Sequence, residues 1–115
     1  MRSFDHEKLD VYRVSIEFVI LTDEIIESFP RGKAYFSDQL QRACTSITLN
    51  IAEGSDEYCT NEKIRFYRIA KRSATECASI IDVLKHLKII DDTLYQRSRE
   101  LLFRIVSMLI KMVQK

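Results

Sequence analysis

Apolar residues along this chain recur at alternating steps of three and four, the spacing of an α-helix with one buried face. Four segments carry that pattern. The first is expected from about Asp5 to Ser28 and holds two apolar lines: Leu9, Tyr12, Ile16, Val19 and Val11, Val14, Phe18, Leu21, Ile25. It should stop before Phe29-Pro30, because proline pushes the residue ahead of it out of the helical region. Arg31 to Ala34 reads as a loop in which Gly32 supplies backbone freedom. The second helix is expected from near Tyr35 or Ser37 to around Glu57. It contains QLQRACTSITLNIAEG, where Leu40, Cys44, Ile47 and Ile51 form an apolar stripe beside a wholly polar one of Gln39, Arg42, Ser46, Asn50 and Glu53. The third should begin near Thr60, a suitable N-cap. Its Phe66, Ala70, Ser73, Cys77, Ile80, Leu84 and Leu87 keep a knobs-into-holes register. Asp91 and Asp92 open the fourth, where acidic side chains suit the N-terminal dipole. Its lines are Leu94, Ser98, Leu101, Ile105, Met108, Met112 and Leu102, Val106, Leu109, Val113.

Four such helices joined by short loops predict one all-α domain over residues 1–115, an antiparallel up-down four-helix bundle roughly 30–40 Å long. Two Gly and one Pro leave little to punctuate a sheet protein, and 46% hydrophobic with 30% charged residues is an ordinary globular balance. The apolar faces of the first and fourth helices are wider than one neighbouring helix needs. A generous core and a self-associating surface both explain that surplus. No apolar run approaches the ~18 residues of a membrane span. MRSFDHEKLD does not open like a signal peptide, so the cytoplasm is the expected compartment. The three cysteines form no CxxC, and Cys44 and Cys77 read as small core residues in a reducing compartment.

Candidate chemistry is sparse. A di-metal bundle needs Glu-x-x-His pairs facing inward, and the chain has none. His6 and His86 are the two histidines, both expected to be exposed rather than ligands, and neither offers a nucleophile an oriented base. No glycine loop of the phosphate-cradling kind occurs. No cofactor, no metal and no catalytic residues are expected, and the chain reads as a non-enzyme. The charge pattern says more, although 18 basic against 17 acidic residues give a formal net charge of only +1. Lys63, Arg65, Arg68, Lys71 and Arg72 fall within ten residues without an acid, and Arg65, Arg68 and Arg72 share one face. Such a face contacts phosphates, or it is a solvated surface whose charges pair with a neighbouring helix. In the second case, an antiparallel hairpin turning near residues 58–60 sets Ser46 beside Arg72 or Ser73 and Asn50 near Arg68. It also makes Arg42–Glu76 and Glu53–Arg65 cross-helix ion pairs. If buried deeply, such a pair strands a charge in Glu76→Ala at a cost of roughly 3–5 kcal/mol.

The order F4…L9-x-V11-Y12, F29-P30 and Q39-L40-x-R42-A43-x-x-S46-I47-x-x-N50-I51-A52-E53-G54, followed by A70-x-x-S73-x-x-E76, resembles a small bacterial family. It is named for proteins encoded within intervening sequences of large-subunit ribosomal RNA genes, and it is similar to the accessory variability determinants of diversity-generating retroelements. Arg42, Ser46, Asn50, Glu53, Gly54, Ser73 and Glu76 carry the structural signature. The resemblance implies an antiparallel four-helix bundle, assembly into a ring-shaped homopentamer, and binding of nucleic acid and a reverse transcriptase through a basic surface. The expected function is therefore a non-catalytic oligomeric bundle that binds partners, with structured RNA or DNA as the ligand class. Lys63, Arg65, Arg68, Lys71 and Arg72 are the expected phosphate contacts. The alternative is a purely structural or protein-binding oligomer with no nucleic-acid role.

Overall fold

The computed structural model describes residues 2–114 and contains four α-helices: α1 (Asp10–Glu27), α2 (Ala34–Asp56), α3 (Thr60–His86) and α4 (Asp92–Val113). No strand occurs among the described residues. α1 packs on α2, α2 on α3, α3 on α4 and α4 on α1, while the diagonal pairs keep their backbones apart. That is the square array of an up-down bundle, and its long axis measures 44 Å.

Local chemistry sets the helix ends. The first helix begins later than its apolar pattern suggests: Asp5–Lys8 forms a 3₁₀ turn, Leu9 is extended, and α1 starts at Asp10. The Glu7 carboxylate accepts from the Phe4 backbone N–H at 3.3 Å, and the turn folds back against α2. At the other end of α1, the Ser28 hydroxyl donates to the Ile25 carbonyl, and Gly32 takes the left-handed φ of +86° that its loop requires. α3 is capped one residue earlier than expected. Cys59 holds the N-cap position without a side-chain bond, and Thr60 is the first helical residue. Asp91, expected with Asp92 to open the fourth helix, stands one residue outside it as the N-cap, its carboxylate accepting from the Leu94 N–H at 2.8 Å. α3 ends in a Schellman turn, with the Lys88 N–H on the Lys85 carbonyl and the Ile89 N–H on the Leu84 carbonyl. Lys88 carries the left-handed φ of 60° there.

The core takes Phe18 and Ile25 from α1, Leu40, Ile47 and Ile51 from α2, Ile81 and Leu84 from α3, and Ile105 and Leu109 from α4. In α1, the second apolar line is buried, while Leu9, Tyr12 and Val19 of the first are half-buried against the same core. Most of the surplus on α1 is thus core, while Ile16 is half-buried and Ile20 exposed. α4 differs. Its buried centre is Ser98, Leu102, Ile105 and Leu109, which leaves Phe103 70% exposed and Ile110 41% exposed. On α3, Phe66 is half-buried and Leu87 exposed at the ends of the expected stripe, and Ile64, Tyr67, Ala74 and Ile81 widen it. Two ion pairs cross from α1 to α4, Glu24–Arg97 and Glu17–Arg104. They lie seven residues apart on each helix in opposite directions, as an antiparallel pairing requires.

The polar stripe of α2 meets α3 through small groups. Ser46 Oγ lies 2.8 Å from Ser73 Oγ, and Asn50 Nδ2 holds Ser46 by donating to its carbonyl at 2.8 Å and its hydroxyl at 3.1 Å. Further along, Gly54 is buried against the Tyr67 ring. The Ser46–Ser73 pairing and its hairpin register are as expected, but the ion pairs are not. Arg42, Glu53 and Glu76 are exposed, and no ion pair joins Arg42 to Glu76 or Glu53 to Arg65 among the described residues. Water solvates those charges at the rim, and Arg65 takes Glu62 on its own helix instead. A pair three residues apart asks less side-chain ordering than one bridging two helices.

The two core cysteines, Cys44 on α2 and Cys77 on α3, are buried free thiols. Burial pushes the Cys77 thiol well above the ordinary cysteine range, with Cys44 and Glu76 adding to the rise. Burial raises Cys44 as well, held back in part by Thr22. The Thr22 hydroxyl is itself buried without a hydrogen bond of ordinary geometry, so the thiol is its weak partner.

The seam makes a paired prediction. A Cβ on Gly54 would sit 2.7 Å from Tyr67 Cε1 and 3.1 Å from Phe66 Cβ. Gly54→Ala should therefore destabilise the fold by about 1–3 kcal/mol, outweighing the ~1 kcal/mol of helix propensity that alanine adds. Glu76→Ala, on an exposed site, should stay within about 0.5 kcal/mol of wild type. Urea denaturation of both variants checks the contrast. The thiols make a second one. Above about pH 8.5 the unfolded chain gives up thiol protons that the folded chain keeps, so stability falls as pH rises. The limiting slope is about 1.4 kcal/mol per pH unit for each thiol. Melting temperatures between pH 8 and 10 should drop, and the drop should flatten in Cys77→Ala.

Candidate nucleic-acid interface

Five cations were expected to act together on the third helix, and the structure divides them. Lys63 is half-buried and turned back onto α2, where Nζ donates to the Gly54 carbonyl at 2.9 Å and the Ser55 carbonyl at 3.1 Å. A helix C-terminus presents unpaired carbonyls, and a lysine satisfies them while meeting the negative end of the dipole. Lys63 therefore serves the end of α2. Arg65 donates from Nε to Glu62 Oε2 at 3.0 Å and stacks on Phe66, 4.5 Å from the ring centroid. Its charge is shared with an acid of its own helix.

Arg68, Lys71 and Arg72 are placed differently. None of the three enters an ion pair among the described residues. Arg68 and Arg72 are exposed, one turn apart on the outward stripe of α3. Lys71 is half-buried and lies with Thr75 and Ala78 on the side of α3 that meets α4. Glu62 and Glu76 bound the stretch, and no acid interrupts it. The arrangement provides two exposed, unpaired guanidinium groups and a flanking ammonium. Planar guanidinium forks match phosphate oxygens in geometry as well as in charge.

The signature residues sit elsewhere. Ser46, Asn50, Gly54 and Ser73 build the α2–α3 seam, and Arg42, Glu53 and Glu76 lie exposed along its rim. Neither histidine joins the basic face. His6 is half-buried rather than exposed, its ring stacked on Phe4 at 5.7 Å and tilted against Tyr12 at 4.5 Å. His86 is exposed, and Nδ1 lies 2.8 Å from the Asp82 carbonyl, which can only accept, so Nδ1 is the donor. Among the described residues, no three His, Cys, Asp or Glu side chains group to hold a metal ion. No described helix is long and apolar enough to cross a membrane.

Sequence reasoning missed two features of this surface. One is the withdrawal of Lys63, whose signal was its position nine residues after Gly54 across a tight hairpin. The other is an apolar groove between α3 and α4, of about 230 Å³, lined by Thr75, Ala78, Leu102, Phe103, Val106 and Ile110. The surplus apolar line on α4 was its signal.

A crystal structure from Bacteroides thetaiotaomicron, described as a protein of unknown function from the S23 ribosomal protein family, has the same fold. It superposes with a TM-score of 0.84 at 22% sequence identity, covering 91% of this chain and 99% of that one. No curated protein matches the sequence significantly. Neither comparison attaches a catalytic activity. The family model for the 23S rRNA-intervening sequence protein matches residues 7–111. With nearly the whole bundle inside that match, the chain belongs to the 23S rRNA-intervening sequence protein family.

Proposed function

We propose that this chain is a non-catalytic, self-associating helical bundle that binds structured RNA or DNA through the outward face of α3. The observation that carries this reading is the unpaired set Arg68, Lys71 and Arg72 on a chain whose net charge is only +1. Self-association is supported by the exposed Phe103 and Ile110 of α4. A ring of five copies is what the family resemblance implies, and it would repeat the basic face around its rim. Phosphate contacts of this kind give affinity without base specificity, so the ligand class is set by backbone charge and shape.

A second reading has its own support. The same apolar residues on α4 fit a purely structural or protein-binding oligomer, in which acids of neighbouring copies take up the α3 cations. Salt dependence separates the two. Three phosphate contacts per protomer on a duplex give a slope of about −2.7 in log affinity against log salt, roughly a forty-fold loss between 50 and 200 mM. Titration of a fluorescent RNA–DNA hybrid or a ribosomal RNA hairpin should show that slope. Arg68→Gln with Arg72→Gln should reduce it to about −1, while Lys63→Gln should leave it unchanged. Absence of binding at low salt, or a slope that ignores the double variant, removes the nucleic-acid role.

A further inference from the structure

The seam between α1 and α2 buries the hydroxyls of Ser15, Thr22 and Thr48, and two of them satisfy each other. Thr48 Oγ1 donates to Ser15 Oγ at 3.2 Å, and Ser15 gives its own proton to the Tyr12 carbonyl at 2.7 Å. Two turns further along α1 lies Thr22, 3% exposed, whose hydroxyl has no hydrogen bond of ordinary geometry. At this second place the seam opens into a hollow of about 320 Å³, with Thr22 and Cys44 as its buried floor. Half-buried Val19 and Ile26 of α1 form its apolar walls, and Asp23, Gln41 and Thr45 stand exposed at its rim.

A buried polar group without a full partner is rare and costs stability. A hydroxyl has one proton to give and two lone pairs with which to accept. The Thr22 proton turns to the Cys44 sulfur, which it holds back from the full rise that burial gives that thiol. What stays unused is the oxygen's capacity to accept. The rim has the same character. Asp23 is an acceptor only, and the Gln41 amide and Thr45 hydroxyl each bring an acceptor oxygen. None of the three is engaged in a side-chain hydrogen bond or ion pair among the described residues. No cation lines the hollow. Arg42 lies on the other side of Gln41 and Thr45, in a depression it shares with Ser46 and Asn50, and Arg31 and Lys33 belong to the loop past the end of α1. Glu24 is turned away to Arg97 of α4, while Glu27 and Asp38, each one turn from a rim residue, are exposed acids.

We infer that this hollow binds a small primary amine in its ammonium form, with the head held by Thr22 Oγ1 and the Asp23 carboxylate and a short alkyl chain laid against Val19 and Ile26. An alkylammonium has three protons to donate and no acceptor, so it matches a set of oxygens short of donors. Asp23 repels an anion of the same size. An alcohol can serve Thr22 but brings no charge to the carboxylate, and charge-assisted bonds are the stronger kind. The volume of about 320 Å³ lies at the lower end of the ~300–1,000 Å³ of small-molecule pockets, which suits a compact ligand rather than a cofactor. The site lies on the α1–α2 side of the bundle and does not depend on the nucleic-acid reading of α3.

NMR titration of the isotope-labelled full chain tests this, with butylammonium, butanol and butyrate sharing one tail at matched ionic strength. Butylammonium should bind saturably in the millimolar range and shift the amide signals of residues 19–26 and 41–45. Butanol should bind about five-fold more weakly, and butyrate should not bind. Thr22→Val keeps the shape of the floor and removes the acceptor. It should weaken butylammonium about ten-fold while the urea midpoint stays level or rises, which a residue needed only for packing would not do. Asp23→Asn should weaken butylammonium about five-fold and close the gap to butanol. Asp23 is exposed, so that variant decides the matter even if Thr22→Val does not fold. No saturable shift in the wild type, equal binding of the three ligands, shifts centred elsewhere, or wild-type affinity in either folded variant overturns the site.

Discussion

The close approach of α2 to α3 at Gly54 is the constraint on which the rest of this bundle depends. With no Cβ at that position, the α2 backbone rests directly on the buried Tyr67 ring and beside Phe66. Eight residues earlier, about 12 Å along the helix, the Ser46–Ser73 contact makes a second close point. Two narrow contacts on one line fix both the spacing and the register of the pair. They also bring the last carbonyls of α2 within reach of Lys63, and this removes a cation from the α3 surface. The face left outward, with Arg68 and Arg72, is what remains once α3 has turned its small residues towards α2.

Charge follows the helices rather than directing them. Arg65 pairs with Glu62 and Arg13 with Asp10, each within a single helix. The ion pairs that cross between helices, such as Glu24–Arg97 and Glu17–Arg104, are at least half exposed on both sides. Pairs of this kind contribute little to stability. Their consequence is distributional, because each local acid removes one cation from the set available to a ligand. A chain with almost balanced charge can thus present a basic stripe on α3. The separation comes from the helical repeat, which sorts residues onto faces that no net-charge figure records.

The bundle leaves two kinds of surface unsatisfied. One is charged and hydrated, suited to a polyanion that brings its own counterions to release. The other is apolar and bounded by charge, suited to another folded surface. The chain belongs to the 23S rRNA-intervening sequence protein family, and its four-helix fold recurs in a structure only 22% identical in sequence.

Much of this architecture was legible in the residues. The steps of three and four placed four helices, Asp91 and Asp92 marked the start of the fourth, and the hairpin register brought Ser46 to Ser73. These are short-range consequences of backbone geometry and of burying one face, which sequence spacing encodes directly. Other features waited on the fold. Leu9 breaking the first helix, Cys59 rather than Thr60 at the cap, and the exposed Arg42 and Glu76 all follow from competition among neighbours. Lys63 shows the reason most plainly. Its spacing matches that of the free arginines, and only the end of α2 packed beside it supplies the Gly54 and Ser55 carbonyls that claim its ammonium group. The sequence by itself determined which faces would be buried. The tertiary structure decided which of the outward charges and apolar side chains were left without a partner, because a partner exists only once distant segments have been brought together.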